Sequence, residues 1–206
     1  MCIRDSIYYE ALSMIVESIE HRGAKDVTDI LKQTARRMHE IPLKNGLRKP
    51  VIAVVGEIFM RDNPFCNGFL IDRLEKNGAE TWIAPFGEWL SYTTYRYKRD
   101  SLWKGDYKGL LKANIQNFAQ RTVSRKLQKS IFRMYDSQRD IELHEMLESC
   151  GTYIHRHYDG DPALNIGTSV VLTHTGISGM ANILPFTCMP GTVIESLSDQ
   201  FKRDHN

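Results

Sequence analysis

A cysteine where an apolar strand gives way to a helix is the residue of this chain best placed to do chemistry. In Ala181-Asn-Ile-Leu-Pro-Phe-Thr-Cys188-Met-Pro-Gly-Thr192, the run Met180 to Leu184 is short and apolar enough for a buried strand. Pro190 suits a first helical turn, and Val193, Ile194, Leu197 and Phe201 recur at helical spacing. Cys188 then sits near a helix N-terminus, where partial positive charge favours the thiolate, the form that ligates a metal or a cluster. A single cysteine is also commonly a small buried hydrophobe, and both readings stand on the sequence.

Other residues repeat parts of this pattern. Asn63-Pro-Phe-Cys66, Ala84-Pro-Phe-Gly87 and Leu184-Pro-Phe-Thr187 each read as a strand end followed by a helix. In a parallel open sheet such junctions share the carboxyl edge, where these folds bind ligands, so Cys66 and Cys188 are expected on one edge. Pro-Phe is equally a turn device that carries a packing ring. His155 and His157, two apart, would face one side of a strand, but no third clustered ligand completes a metal site. The basic run Arg121 to Lys129 reads as a solvated helix face.

The elements that must position these residues follow from periodicity. Helices are expected over Ile7 to Arg22 and Val27 to Ile41, the first with Ile7, Ala11, Met14, Ile15 and Ile19 on one face. A polar linker follows at Leu43 to Lys49. Pro50 to Phe59 is a continuous β-branched run of the kind buried in parallel sheets; a helix from about Pro64 to Asn77 and a strand over Thr81 to Phe86 complete a β-α-β unit. Gly87 to Arg99 reads as an aromatic-rich helix. Tyr107 to Met134 reads as a long basic one, with Leu110, Leu111, Ile115, Phe118, Val123, Leu127 and Ile131 as its apolar positions. Ile141 to Ser149 and Ala163 to His174 are further helices, separated by a loop or short strand over Gly151 to Gly160. The expected fold class is α/β: a Rossmann- or flavodoxin-like parallel sheet with an N-terminal helical pair (7–49) and, within a lobe over 50–206, a helical insertion at about 87–150.

Bulk composition narrows the function classes. The 206 residues suffice for one or two domains, and 27 Lys+Arg against 25 Asp+Glu, a net charge of +2, argue against a dedicated nucleic-acid surface. The four cysteines, Cys2, Cys66, Cys150 and Cys188, form no C-x-x-C pair, so neither a zinc ribbon nor a two-cluster ferredoxin is written here, and their spacing suits a reducing cytoplasm. No apolar run approaches the roughly 20 residues of a membrane helix. The turn Gly56-Glu-Ile-Phe-Met-Arg lacks the closely spaced glycines of a dinucleotide-binding loop. Residues 1–6 read as a short leader foreign to the natural protein, and the stop at Lys202-Arg-Asp-His-Asn206, directly after a helix, reads as a fragment of something longer.

Val55-Gly-Glu-Ile-Phe-Met-Arg-Asp-Asn-Pro-Phe65, Ile71 to Gly78, Trp82-Ile-Ala-Pro-Phe-Gly-Glu-Trp89 and Asn182 to Thr192 together resemble the 2-hydroxyacyl-CoA dehydratase and benzoyl-CoA reductase superfamily. The likeness, over about residues 7–206, is to the dehydratase-like region of large proteins fused to an acyl-CoA dehydratase activase. The resemblance implies a two-lobed α/β protein of anaerobic metabolism with an iron-sulfur cluster, 4Fe-4S, held by cysteines. It also implies an ATP-dependent activase domain or subunit that delivers low-potential electrons, and an acyl-CoA substrate. Carried onto this sequence, it implies metal-ligand roles for Cys188 and Cys66, with Glu57, Arg61 and Asn63 positioning the thioester or cluster. For those three the commoner reading is loop capping. Too few cysteines are present for the about three or four thiolates that a cubane takes, so further ligands are expected upstream and the fragment alone is expected to be inactive. The alternative is a non-catalytic docking or scaffold lobe whose helices bind the activase part.

Overall fold

A computed structural model places residues 3–42, 49–131 and 141–205. Met1 and Cys2 of the expected leader, the linker at 43–48, the expected last turn of the long basic helix at 132–134 and Asn206 lie outside the described residues. The chain is a mixed α/β protein dominated by helix, with a three-stranded parallel sheet. It divides into two compact units, 1–46 with 94–140 and 47–93 with 141–206. The N-terminal helices and most of the expected insertion thus form one unit.

The helical unit contains α1 (Ile3–Arg22), α2 (Val27–His39), the later part of α5 (Gly87–Trp103) and α6 (Tyr107–Ile131). Residues Ile3 to Ser6, expected as leader, are the first turn of α1. Ile7, Ala11 and Ser18 are the buried positions of α1, whereas Met14 and Ile19 of the expected stripe are exposed. Helix α6 also departs from expectation. It contacts α2 and buries the small residues Gly109, Ala113 and Ser130, while Leu111, Ile115, Phe118 and Val123 face solvent. Small side chains let helices approach closely, so the large apolar residues are left on the outer face.

The α/β unit is built on β1 (Val51–Gly56), whose β-branched run is buried from Ala53 to Gly56. It pairs in parallel with β2 (Glu80–Ile83) on one side and with β3 (Gly179–Ile183) on the other, giving the order β2-β1-β3. Ala53 stands opposite Trp82 and Met180, and Gly56 opposite Ile183. The strand stops three residues before the expected Phe59. The Glu57 carboxylate accepts the Met60 N–H at 2.8 Å, an N-cap that starts the short helix α3 (Ile58–Asp62). Asn63-Pro-Phe-Cys66 therefore follows α3 and not a strand, and the expected helix from Pro64 begins only at α4 (Leu70–Lys76).

Three further helices complete this unit: α7 (Leu143–Ser149), α8 (Asp161–Thr173) and α9 (Met189–His205), with a 3-10 turn at Cys150–Thr152. The expected strand alternative over Gly151 to Gly160 is not formed. Helix α8 is buried almost all round, from Pro162 to Thr168 and again at Val171 and Leu172, and packs against β1, α7 and α9. Gly167 permits the close approach of α7, since a Cβ there would meet the backbone of Met146. Tyr92 of α5 fixes the approach to α8: its hydroxyl donates to the Tyr158 carbonyl at 3.2 Å and accepts from the Gly160 N–H at 3.0 Å.

Gly56 has φ of +129°, and a Cβ built on it would overlap the backbone of Ile183. Gly56→Ala is expected to destabilise the protein by about 2–4 kcal/mol in urea unfolding, as strained backbone and overpacking add. Phe118→Ser on the exposed face of α6 is expected to change stability by less than about 0.5 kcal/mol.

Candidate functional site

The carboxyl end of β1 leads into Glu57 and Arg61, and that of β3 into Cys188. Beneath this edge of the sheet lies one buried ion pair. Arg61, only 2% exposed, donates from Nη1 to Glu88 Oε1 at 2.7 Å. Longer bonds run from Nη1 to the Gly56 carbonyl at 3.4 Å and from Nη2 to the Pro85 carbonyl at 3.3 Å. The second oxygen of Glu88 accepts from Thr168 of α8 at 3.4 Å, and Asn165 of α8 accepts the Gly56 N–H at 3.1 Å. One network thereby joins the end of β1, the start of α5 and the buried face of α8.

The network carries more acid than base. Burial pushes the Glu88 carboxyl above its ordinary range, outweighing the attraction of Arg61 and the hydrogen bonds from Arg61 and Thr168. Asp161, at the start of α8, is also raised, by burial and then by repulsion from Glu57, against a hydrogen bond from Trp89 and the attraction of Arg61. Two buried donors, Arg61 Nε and Asn165 Nδ2, have no hydrogen-bond partner among the described residues.

The five residues expected at the site have different fates. Arg61, expected to position a ligand, is held inside and neutralised by Glu88. Glu57 caps α3, and Asn63 accepts the Cys66 N–H at 3.1 Å, so both serve the local backbone. Cys66 is half-buried in the turn that follows α3. Cys188 immediately precedes α9: its N–H donates to the Pro185 carbonyl at 3.1 Å, and its carbonyl accepts from Thr192 N at 3.0 Å in the first helical turn. The half-buried Cys188 lines a cavity of about 830 Å³ between β3, α8 and α9, which Cys66 does not reach. Cys150 is fully buried; its thiol donates to the Leu147 carbonyl at 3.3 Å, and burial raises its pKa.

Around these groups the Pro-Phe junctions present their rings outward: Phe65 is 83%, Phe86 55% and Phe186 97% exposed. None of the three rings is buried among the described residues. His155 and His157 lie ring to ring at 5.0 Å, with the His157 N–H donating to His155 Nδ1, and among the described residues no third ligand joins them. Among the described residues no group of three His, Cys, Asp or Glu side chains converges. A cubane takes about three or four thiolates; the residues present fit one ligand of such a cluster and not a whole binding site.

No protein-family model matches this chain, and neither does any curated protein or solved structure. The site is therefore read from its own chemistry. Sequence reasoning missed Glu88, Asn165, Thr168 and Asp161. The first lies 27 residues from the arginine it pairs with. Asn165 and Thr168 did carry a signal, as polar residues within the apolar run Ala163 to Leu172.

Because the folded state holds a proton on Asp161 more tightly than the unfolded chain, whose value is near 3.8, this group's contribution to stability falls as pH rises above that value. Once the folded pKa is passed it is constant. The stability of the wild type minus that of Asp161→Asn is thus expected to decline as pH rises above about 4 and then to level off. Urea unfolding across that range measures it, and a difference that grows with pH would contradict the site's electrostatics.

Proposed function

We propose that the α/β unit is a Rossmann- or flavodoxin-like lobe that presents Cys188 as one ligand of an iron-sulfur cluster in a protein of the 2-hydroxyacyl-CoA dehydratase and reductase type. The supporting observation is the position of Cys188: a half-buried thiol between the carboxyl end of a parallel strand and the first residue of a helix, at the wall of a large cavity. When bound, the cluster supplies one-electron chemistry at low potential. This chain's own part is to hold one sulfur at the strand end and to shield it on one side with α9. The remaining ligands, the ATP-dependent activase and the acyl-CoA thioester belong to the proposal through the resemblance of Pro185-Phe-Thr-Cys-Met-Pro-Gly191 and its companion motifs.

A second reading has an observation of its own. Tyr107, Leu111, Ile115 and Phe118 are all exposed at helical spacing on α6, an apolar stripe that suits a docking surface. In that reading the chain is a non-catalytic docking or scaffold lobe and Cys188 binds nothing.

Anaerobic iron and sulfide quantification with the visible spectrum, on the native polypeptide that carries this segment, separates the two. Cys188→Ala is expected to lose most of the iron and the cluster absorption. Equal iron in both forms would remove Cys188 from the ligand set, and no iron in either would favour the docking reading.

A further inference from the structure

Helix α9 spans Met189–His205 and carries Val193, Ile194, Leu197 and Phe201 at helical spacing, yet none of its residues is buried. An amphipathic helix ordinarily covers such a stripe. It is not loose for lack of anchoring. The Tyr153 hydroxyl donates to Asp204 at 2.8 Å, and the Tyr153 ring lies 5.6 Å from that of Phe201. The cavity of about 830 Å³ runs the length of β3, from Ser178 to Leu184, and Ile194, Leu197 and Phe201 form its helical wall. Strand β3 pairs with β1 alone, so among the described residues its far edge has unpaired backbone donors and acceptors. Open edges of this kind are templates for another strand.

The charges on the same wall indicate which strand. Glu195 and Lys202 both line the cavity, two helical turns apart on one face and about equally far from Ser198. A two-fold axis near Ser198 would bring Glu195 of one copy to Lys202 of the other, twice. The same axis would set the helix dipoles antiparallel, stack Ile194 near Phe201 of the second copy, and place small Gly191 toward bulky His205. An isologous contact demands this kind of self-complementarity.

We propose that β3 and α9 form a two-fold interface with a second copy of this chain. The two β3 edges pair antiparallel about Ala181, joining the sheets into one, and the two α9 helices lie antiparallel above the joined strands. The interface uses the groove that Cys188 also lines, but it does not rest on the redox reading of that thiol.

Sedimentation velocity from micromolar to submillimolar concentration tests it, with circular dichroism to verify that each variant folds. Glu195 and Lys202 are both exposed, so substituting them is expected to leave the fold intact. The wild type is expected to be a dimer. Glu195→Lys and Lys202→Glu are each expected to weaken the dimer roughly tenfold, since every reversal acts twice. Combining the two reversals is expected to restore the wild-type affinity. A monomer at every concentration overturns the proposal and leaves the groove to a strand of another polypeptide. A dimer indifferent to both reversals, or an open-ended series of oligomers, overturns it equally.

Discussion

The carboxyl edge of this sheet depends on a charge kept out of water. Arg61 and Glu88 are both almost fully buried, and transferring two ions from water is costly enough that such a pair is close to neutral in net stability against an apolar substitute. Its consequence is geometric. Arg61 reaches the Gly56 carbonyl, the Pro85 carbonyl and the Glu88 carboxylate, and Glu88 passes the connection to Thr168. Gly56 is the point on which this converges: its carbonyl accepts from Arg61, its N–H donates to Asn165, and its missing Cβ lets Ile183 lie against it. The ends of β1 and β3 are positioned relative to α8 through that one residue, and Arg61 ties in the chain after β2 at Pro85.

This arrangement decides which groups remain for function. Arg61, Glu57 and Asn63 are engaged with neighbouring backbone or an internal carboxylate. What remains is a half-buried thiol at Cys188 in the cavity wall and exposed aromatic rings at Phe65, Phe86 and Phe186. Of the three rings only Phe186 lines the same cavity as the Cys188 thiol, and exposed apolar rings of this kind mark a surface that meets another surface. The cluster-ligand reading and the docking reading both require a second body. They differ in whether the sulfur is shared across the contact.

Legibility in the sequence followed the physics of each element. The run at Val51 to Val55 was readable as a buried parallel strand because burial on both faces leaves no polar alternation to obscure it. The junction at Cys188 was readable because Pro190 and the spacing of Val193, Ile194, Leu197 and Phe201 mark the helix start locally. The end of β1 was misread because a side-chain cap by Glu57 outweighed the strand preference of Ile58 and Phe59. On α6 the apolar stripe was visible but its direction was not, since the residues the helix buries are the small Gly109, Ala113 and Ser130. The Arg61–Glu88 pair had no local signature at all; it exists only once β1 and β2 are side by side.

A double-mutant cycle on that pair tests the account most directly. Arg61→Met and Glu88→Leu are measured singly and together by urea unfolding. Each single change strands one buried charge and is expected to cost about 3–5 kcal/mol, whereas the double variant, with no charge left to strand, is expected to cost far less than the sum. Additive costs would contradict the claim that this pair organises the carboxyl edge.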